Sequence, residues 1–362
     1  IGAGGGSIAY ADSGGGFRVG PRSAGAAPGP AAYGRGGQQP TVTDANVVLG
    51  RLNSSYFLGG EMSLDEDASH KVITTLASEL SLDTAATAEG ILTIVTANMA
   101  NAIRSRTVQK GIDPRDFSLV AFGGAGPLHA VDVALVLDMS EVIIPPYPGI
   151  TSAVGLLTTD LRYDTIRTEF QVSENMDLAR LNDDLANMEE ELTTQFLADG
   201  LDHADISFLR SGDLRYVGQG YELRVNIPSG LLDEERTAEV FSQFHGQHRA
   251  EYGHDFPDSP IEIVNARVAG IGQMPKIGRP QVNSDQAKNT DSITSAPCMF
   301  RANGSLESFD TAFYQRELLP IEEPIEGPAI ILQRDSTTVV PPGNTFTADA
   351  ANNIIIRIGE TT

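Results

Sequence analysis

Phe117-Ser118-Leu119-Val120-Ala121-Phe122-Gly123-Gly124-Ala125-Gly126-Pro127-Leu128-His129-Ala130 is the stretch on which the fold turns. The run from Phe117 to Phe122 is short, mostly apolar and closed by glycines, which predicts a buried strand ending in a tight turn. Pro127 then sits where a helix admits proline, in its first turn, and apolar residues continue to about Leu137. Val142-Ile143-Ile144 reads as a second strand. Strand, glycine turn, helix and strand make a βαβ unit, so the chain is of the α/β class with parallel pairing at this point.

Upstream, Val72, Ile73, Leu76 and Leu80 recur at helical spacing between Asp65 and Leu82, and Ile91, Val95, Met99 and Ile103 do so between Thr84 and Gln109. Both segments are therefore expected to be amphipathic helices. The first fifty or so residues are dense in Gly, Ala and Pro around short apolar pieces, Ile8-Ala9-Tyr10 and Phe17-Arg18-Val19. A flexible linker would be richer in serine. This one leads into Thr41-Val42-Thr43-Asp44-Ala45-Asn46-Val47-Val48-Leu49-Gly50, which has the pattern of a helix start with Thr43 or Asp44 as N-cap. The region reads as ordered loops around a ligand site.

Downstream, a helix is expected from about Thr151 to Thr159, and the texture changes after Arg162. A long polar helix from about Met176 to Leu197 precedes alternating strand patterns at Leu209 to Tyr216 and Tyr221 to Ile227. A helix near Glu234 to Tyr252, a strand at Ile261 to Ala269, a looped stretch from Gly278 to Ser295 and β-rich closing segments follow. The 362 residues exceed the usual size of one core, so two domains are expected, 1–165 and 166–362.

Against 48 acidic residues stand 25 basic ones, a formal charge of −23 that repels nucleic acid and anionic membrane surfaces over roughly a Debye length. The densest basic group, Arg18, Arg22 and Arg35, is interleaved with glycines. No apolar run approaches the ~20 residues needed to cross a bilayer. The single cysteine, Cys298, rules out a disulfide framework within the chain and makes the cytoplasm the default compartment.

Several residues could carry chemistry. In Gly123-Gly124-Ala125-Gly126 the missing Cβ atoms let backbone approach a flat or phosphorylated ligand, or simply permit a tight βα connection. The sequence does not match the G-x-x-x-x-G-K-[ST] phosphate loop, nor the dinucleotide fingerprint with its downstream acid, which argues against a Rossmann dehydrogenase. Gly4, Gly5 and Gly6 could present N–H groups to an anion, or form an ordinary loop. His129, early in its helix, could meet a metal, a phosphate or a substrate carbonyl, or bond to backbone. Asp44 suits either an N-cap or a ligand to magnesium-bound water. His245 and His248 share a helix face with His254 nearby, yet nothing completes a metal set and packing is the expected role. Cys298, among Ala296, Pro297 and Met299, reads as a small buried hydrophobe.

Taken in order, Gly2 to Ala9, Val19-Gly20-Pro21-Arg22-Ser23-Ala24-Gly25-Ala26-Ala27-Pro28-Gly29-Pro30, Tyr33-Gly34-Arg35-Gly36-Gly37, Pro40 to Ala45 and Phe122 to Ala130 resemble the hydantoinase A/oxoprolinase family. So do Pro145-Pro146, Pro148-Gly149, Asp160-Leu161-Arg162, Arg215-Tyr216-Val217-Gly218-Gln219 and Thr337-Thr338-Val339-Val340-Pro341-Pro342-Gly343. The resemblance covers nearly the whole chain. It implies a portion of an actin-like, Hsp70-like (ribonuclease H-like) ATPase domain followed by a smaller α+β C-terminal domain. The Gly123 to Gly126 turn would hold the adenosine side of ATP, and the Gly4 to Gly6 loop, also a cofactor-binding candidate, would converge on one cleft with Asp44 and His129, the catalytic candidates, with Mg2+ as companion.

The family's chemistry is phosphorylation of a poorly electrophilic carbonyl or enolate oxygen, after which a partner finishes the reaction. That implies an A-type subunit of an ATP-dependent hydrolase of small cyclic amides, hydantoin or 5-oxoproline, working through a phosphorylated imidate-like species with a B-type subunit. An acetone-type carboxylase subunit and a non-catalytic assembly piece are the alternatives. In the family the acidic Asp-x-Gly-Gly-Thr motifs lie upstream of the glycine-rich opening. The chain is therefore expected to need a further N-terminal segment and to be inactive by itself. Relatives also carry a cysteine where this sequence has Ala32, so no thiol role is expected there.

Overall fold

The computed structural model describes residues 2–275 and 291–359. The chain forms two compact units, one made of Ile1–Val154 with Gly278–Thr362 and the other of Gly155–Ile277.

The first unit opens with a hairpin of β1 (Ser7–Ala11) and β2 (Phe17–Ser23), Ala9 lying opposite Val19. Helix α1 (Val42–Val48) follows, then α2 (Glu66–Leu80) and α3 (Thr84–Arg106). Both long helices start on aspartate caps, Asp65 and Asp83, each accepting from the backbone N–H three residues on. The apolar residues read from their spacing, Val72, Ile73, Leu76, Ile91 and Val95, are buried together with Val42, Ala45 and Leu49 of α1 and its end.

Next come β3 (Leu119–Val120), α4 (Gly126–Val136), β4 (Glu141–Ile144) and α5 (Thr151–Thr158). Strands β3 and β4 pair in parallel, Leu119 beside Val142, so the βαβ unit stands. The strand itself differs from expectation. Only Leu119 and Val120 pair, at the edge of the sheet, and Phe117, Val120 and Phe122 are each more than half exposed. An edge strand has a covered neighbour on one side alone, which apolar composition cannot reveal.

The second unit contains β5 (Leu161–Val172), α6 (Leu178–Ala198), β6 (Ile206–Tyr216), β7 (Leu223–Ile227), α7 (Glu234–Tyr252) and β8 (Ile261–Gly272). Its strands form an antiparallel sheet in the order β5-β8-β6-β7. Leu181, Leu185, Met188, Leu192 and Phe196 of α6 line one helical face and meet Val240 and Phe244 of α7 over that sheet. Helix and strand approach closely at Gly270, where a Cβ would stand 2.6 Å from the Phe196 ring.

The described chain resumes with β9 (Thr294–Ala302), β10 (Ser305–Gln315), β11 (Ile325–Glu326), β12 (Ala329–Leu332), β13 (Thr337–Val340), β14 (Thr345–Ala348) and β15 (Ile354–Arg357). These strands belong to the first unit. One sheet runs β13-β12-β10-β9, and the other, β11-β14-β15-β4-β3, carries the βαβ unit. Ile354 pairs with Ile144 and Ile356 with Val142, all four side chains fully buried. The compact units thus do not follow a single cut at 165/166, because the closing strands need the covered face that β4 provides. The expected loop from Gly278 to Ser295 falls mostly outside the described residues, and its end, Thr294 and Ser295, opens β9.

Candidate functional site

The glycine turn lies between β3 and α4 and is held from beneath. Gly123 adopts φ +89°, a conformation favouring glycine, and its N–H donates to Pro148 O at 2.7 Å. Gly149 N donates to the Asp335 carboxylate at 2.8 Å, and Gln333 Nε2 to Pro146 O at 2.7 Å. Arg316 closes this relay. It is 2% exposed, donates to Gln333 Oε1 at 3.0 Å and to Ile144 O at 2.9 Å, and burial draws its guanidinium down to about 10. Three chain segments remote in sequence therefore fix the turn.

Above it there is room. An added Cβ at Gly123 would meet nothing within 4 Å, and one at Gly124 would come no nearer than 3.6 Å, to Asp335 O. Phe122, Tyr147 and Ile150, on the flanking residues, present exposed apolar surface. An open backbone at a helix start, beside exposed rings, suits a flat base with attached phosphates.

The opening loop forms a separate set. Gly5 O accepts from Thr43 N at 2.8 Å and from Thr43 Oγ1 at 3.0 Å, so the Gly4 to Gly6 loop is tied to the start of α1 beside Asp44. Among the described residues no hydrogen bond joins this set to the Gly123 turn.

Asp44 is completely buried. One carboxylate oxygen accepts from Ala32 N at 2.7 Å and Ser69 Oγ at 3.0 Å, the other from Thr41 N at 2.9 Å and Thr41 Oγ1 at 2.7 Å. Thr41, not Thr43 or Asp44, is the N-cap, and Asp44 is the reciprocal partner of a capping box. With both oxygens engaged, the capping alternative accounts for the place of Asp44 in the structure.

His129 is 2% exposed, and neither ring nitrogen has a partner. Burial, reinforced by the Arg51 charge, pulls its pKa to about 4, so the ring is neutral near pH ~7. Asp132 lies one turn on along α4 and faces Arg51 at 3.5 Å. Among the described residues no group of three or more His, Cys, Asp and Glu is placed to hold a metal ion.

The remaining candidates pack. His248 is 1% exposed among Tyr216, Phe244, Tyr252 and Phe256, its ring nitrogens engaged with His254 O and Gln219 Nε2. Cys298 is fully buried, its thiol donating to Gly50 O and pushed up by burial. Sequence reasoning missed Arg316, Gln333 and Asp335, which brace the glycine turn. A polar run directly after the apolar Ala329–Leu332 strand was the one available signal.

A glycine turn opening a helix in a mixed α/β unit, braced so that its backbone faces open space, is an arrangement that could accept a flat or phosphorylated ligand. Similarity to known proteins makes the assignment specific: the hydantoinase/oxoprolinase description matches residues 1–165, the hydantoinase/oxoprolinase C-terminal domain matches residues 170–357, and the chain belongs to this family. It is 35% identical over 349 residues to the caprolactamase subunit alpha of Pseudomonas jessenii, covering 95% of this chain and 50% of that protein. It is 34% identical over 377 residues to the acetophenone carboxylase gamma subunit of Aromatoleum aromaticum, covering 99% of this chain and 50% of the relative.

The crystal structure of the Pseudomonas jessenii ATP-dependent caprolactamase superposes with a TM-score of 0.77 at 34% identity, covering 99% of this chain and 52% of that one. A nucleotide-free acetone carboxylase structure gives 0.85 at 24% identity, with 99% and 52% covered, and carries the fold alone. The expected α/β class, an actin-like ATPase portion with a smaller α+β C-terminal domain, agrees with these likenesses. The chain spans about half the length of the curated relatives it matches. Among the described residues no helix is long and apolar enough to cross a membrane.

Proposed function

We propose that the protein is the A-type subunit of an ATP-dependent hydrolase of small cyclic amides, of the hydantoin or 5-oxoproline kind, working with a B-type partner subunit and Mg2+ in the cytoplasm. The observation that carries this reading is the braced, unobstructed Gly123 to Gly126 turn in a chain of this family. The backbone of that turn would hold the adenosine side, with Phe122 and Tyr147 offering apolar surface to the base and the Gly4 to Gly6 loop on the phosphate side. Bound ATP would supply the phosphoryl group that turns an amide carbonyl oxygen into a leaving group.

Gly124→Val is a clean test, because Gly124 has an ordinary φ and a Cβ there meets only van der Waals contact, so the fold should tolerate it. ATP affinity of the complete subunit should fall by about tenfold or more, a change of about 1.4 kcal/mol. A folded variant with unchanged affinity removes the assignment. A carboxylase subunit is the second reading, favoured by the 34% identity to the acetophenone carboxylase gamma subunit. Bicarbonate-dependent consumption of a ketone, with no ATP-dependent ring opening of a hydantoin or 5-oxoproline, would select it.

A further inference from the structure

A cavity of about 820 Å³ opens in the first unit, between α3, α4, the β9–β10 hairpin and the Pro341 to Asn344 loop. The proposed nucleotide turn has no residue in its walls. Two charge pairs stand there, and they differ. Glu89 and Arg301 are closed on each other through two hydrogen bonds of 2.9 Å, with Thr93 adding a third at 3.1 Å. Arg51 and Asp132 are not closed.

Arg51 is 4% exposed, with its guanidinium over the Phe300 ring at 4.9 Å. Its Nε donates to Met299 O at 3.2 Å, but Nη1 stands 3.5 Å from Asp132, beyond a good charged hydrogen bond. A guanidinium has five N–H donors, and these two contacts leave it capacity for a further acceptor. The Asp132 side chain is 31% exposed on the same walls, so its carboxylate is open to a ligand. Nearby on the same walls Thr96, 4% exposed, has a hydroxyl with no partner. Leu92, Leu135 and Val136 supply apolar wall beside these groups.

We propose that this cavity binds a free α-amino acid with an apolar side chain, its carboxylate on Arg51, its ammonium on Asp132 and its side chain against Leu92 and Leu135. A loosely held Arg–Asp pair can take a ligand charge of opposite sign at each member without giving up a good hydrogen bond. A carboxylate alone would leave Asp132 facing a second anion, and an amine alone would face Arg51, so the zwitterion is the species both charges accept. The site is independent of the nucleotide reading and stands or falls without it.

Calorimetric titration of the purified protein with leucine, isocaproate and isopentylamine tests the proposal. Leucine should bind saturably and at least about tenfold more tightly than either analogue, each of which leaves one charge of the pair without a partner. Val136→Trp, which narrows the cavity from a half-exposed position and leaves every charge in place, should abolish binding, and Asp132→Asn should bring leucine down to the level of isocaproate. Thermal melts establish that each variant is folded. Absence of saturable leucine binding, equal affinity for the three probes, or leucine binding untouched in both folded variants would overturn the assignment.

Discussion

His129 is a buried ionisable group with no partner, and its consequence is a dependence of stability on pH. Its pKa lies at about 4 in the folded chain against an ordinary 6.5. Between those values the unfolded state binds a proton that the folded state refuses. The contribution of a neutral His129 is therefore present above pH 6.5 and lost as pH falls toward about 4, at a cost on the order of 3 kcal/mol. Denaturant unfolding of wild type and His129→Gln at pH about 7 and about 4 should show the wild type losing about 3 kcal/mol more than the variant. Equal losses would mean that the ring already finds a partner or water. At this scale the sequence was legible in part: the place of His129 early in a helix could be read, but its burial depends on the packing of α4 against β13, from the far end of the chain. Arg51 and Asp132 were not legible as a pair, since nothing in their spacing joins a loop residue to the middle of α4.

The short helix α1 shows how an element can be recognised and its boundary misjudged. Thr41, Thr43 and Asp44 are all good caps, and propensity alone cannot rank them. The structure ranks them because Asp44 reaches back to Thr41 while also gathering Ala32 and Ser69, partners that come from outside the helix. The role is testable by Asp44→Asn, which exchanges one acceptor oxygen for a donor that must face two other donors. A loss of about 3 kcal/mol is expected, from broken charged hydrogen bonds and buried donors left unmatched. A loss under about 1 kcal/mol together with lost catalysis in the complete subunit would instead favour a chemical role for Asp44. The βαβ unit was readable because strand, glycine turn and helix are contiguous, whereas the pairing of β15 with β4 was not. Ile354 and Ile144 meet across most of the chain, and the apolar run at Ile354–Arg357 fits many sheets equally well.

At the scale of the whole molecule, the segment Gly155–Ile277 is inserted in the sequence between the two parts of the first unit, Ile1–Val154 and Gly278–Thr362. It is continuous, with its own sheet, two long helices and a core of Leu185, Phe196, Phe244, Ala266 and Val268 that, among the described residues, includes none of the other unit. The first unit is discontinuous and must bring β15 to β4 before its sheet closes. Separate cores predict separate cooperative transitions. Phe244→Ala removes a fully buried ring from the Gly155–Ile277 core and should cost about 4 kcal/mol there. In scanning calorimetry that corresponds to a fall on the order of 10 °C in one transition, with the other unmoved. Ile356→Ala, in the sheet of the first unit, should move the other transition instead. If both substitutions lower one shared transition by similar amounts, the units fold as a single cooperative body and the independence argued from their cores is wrong.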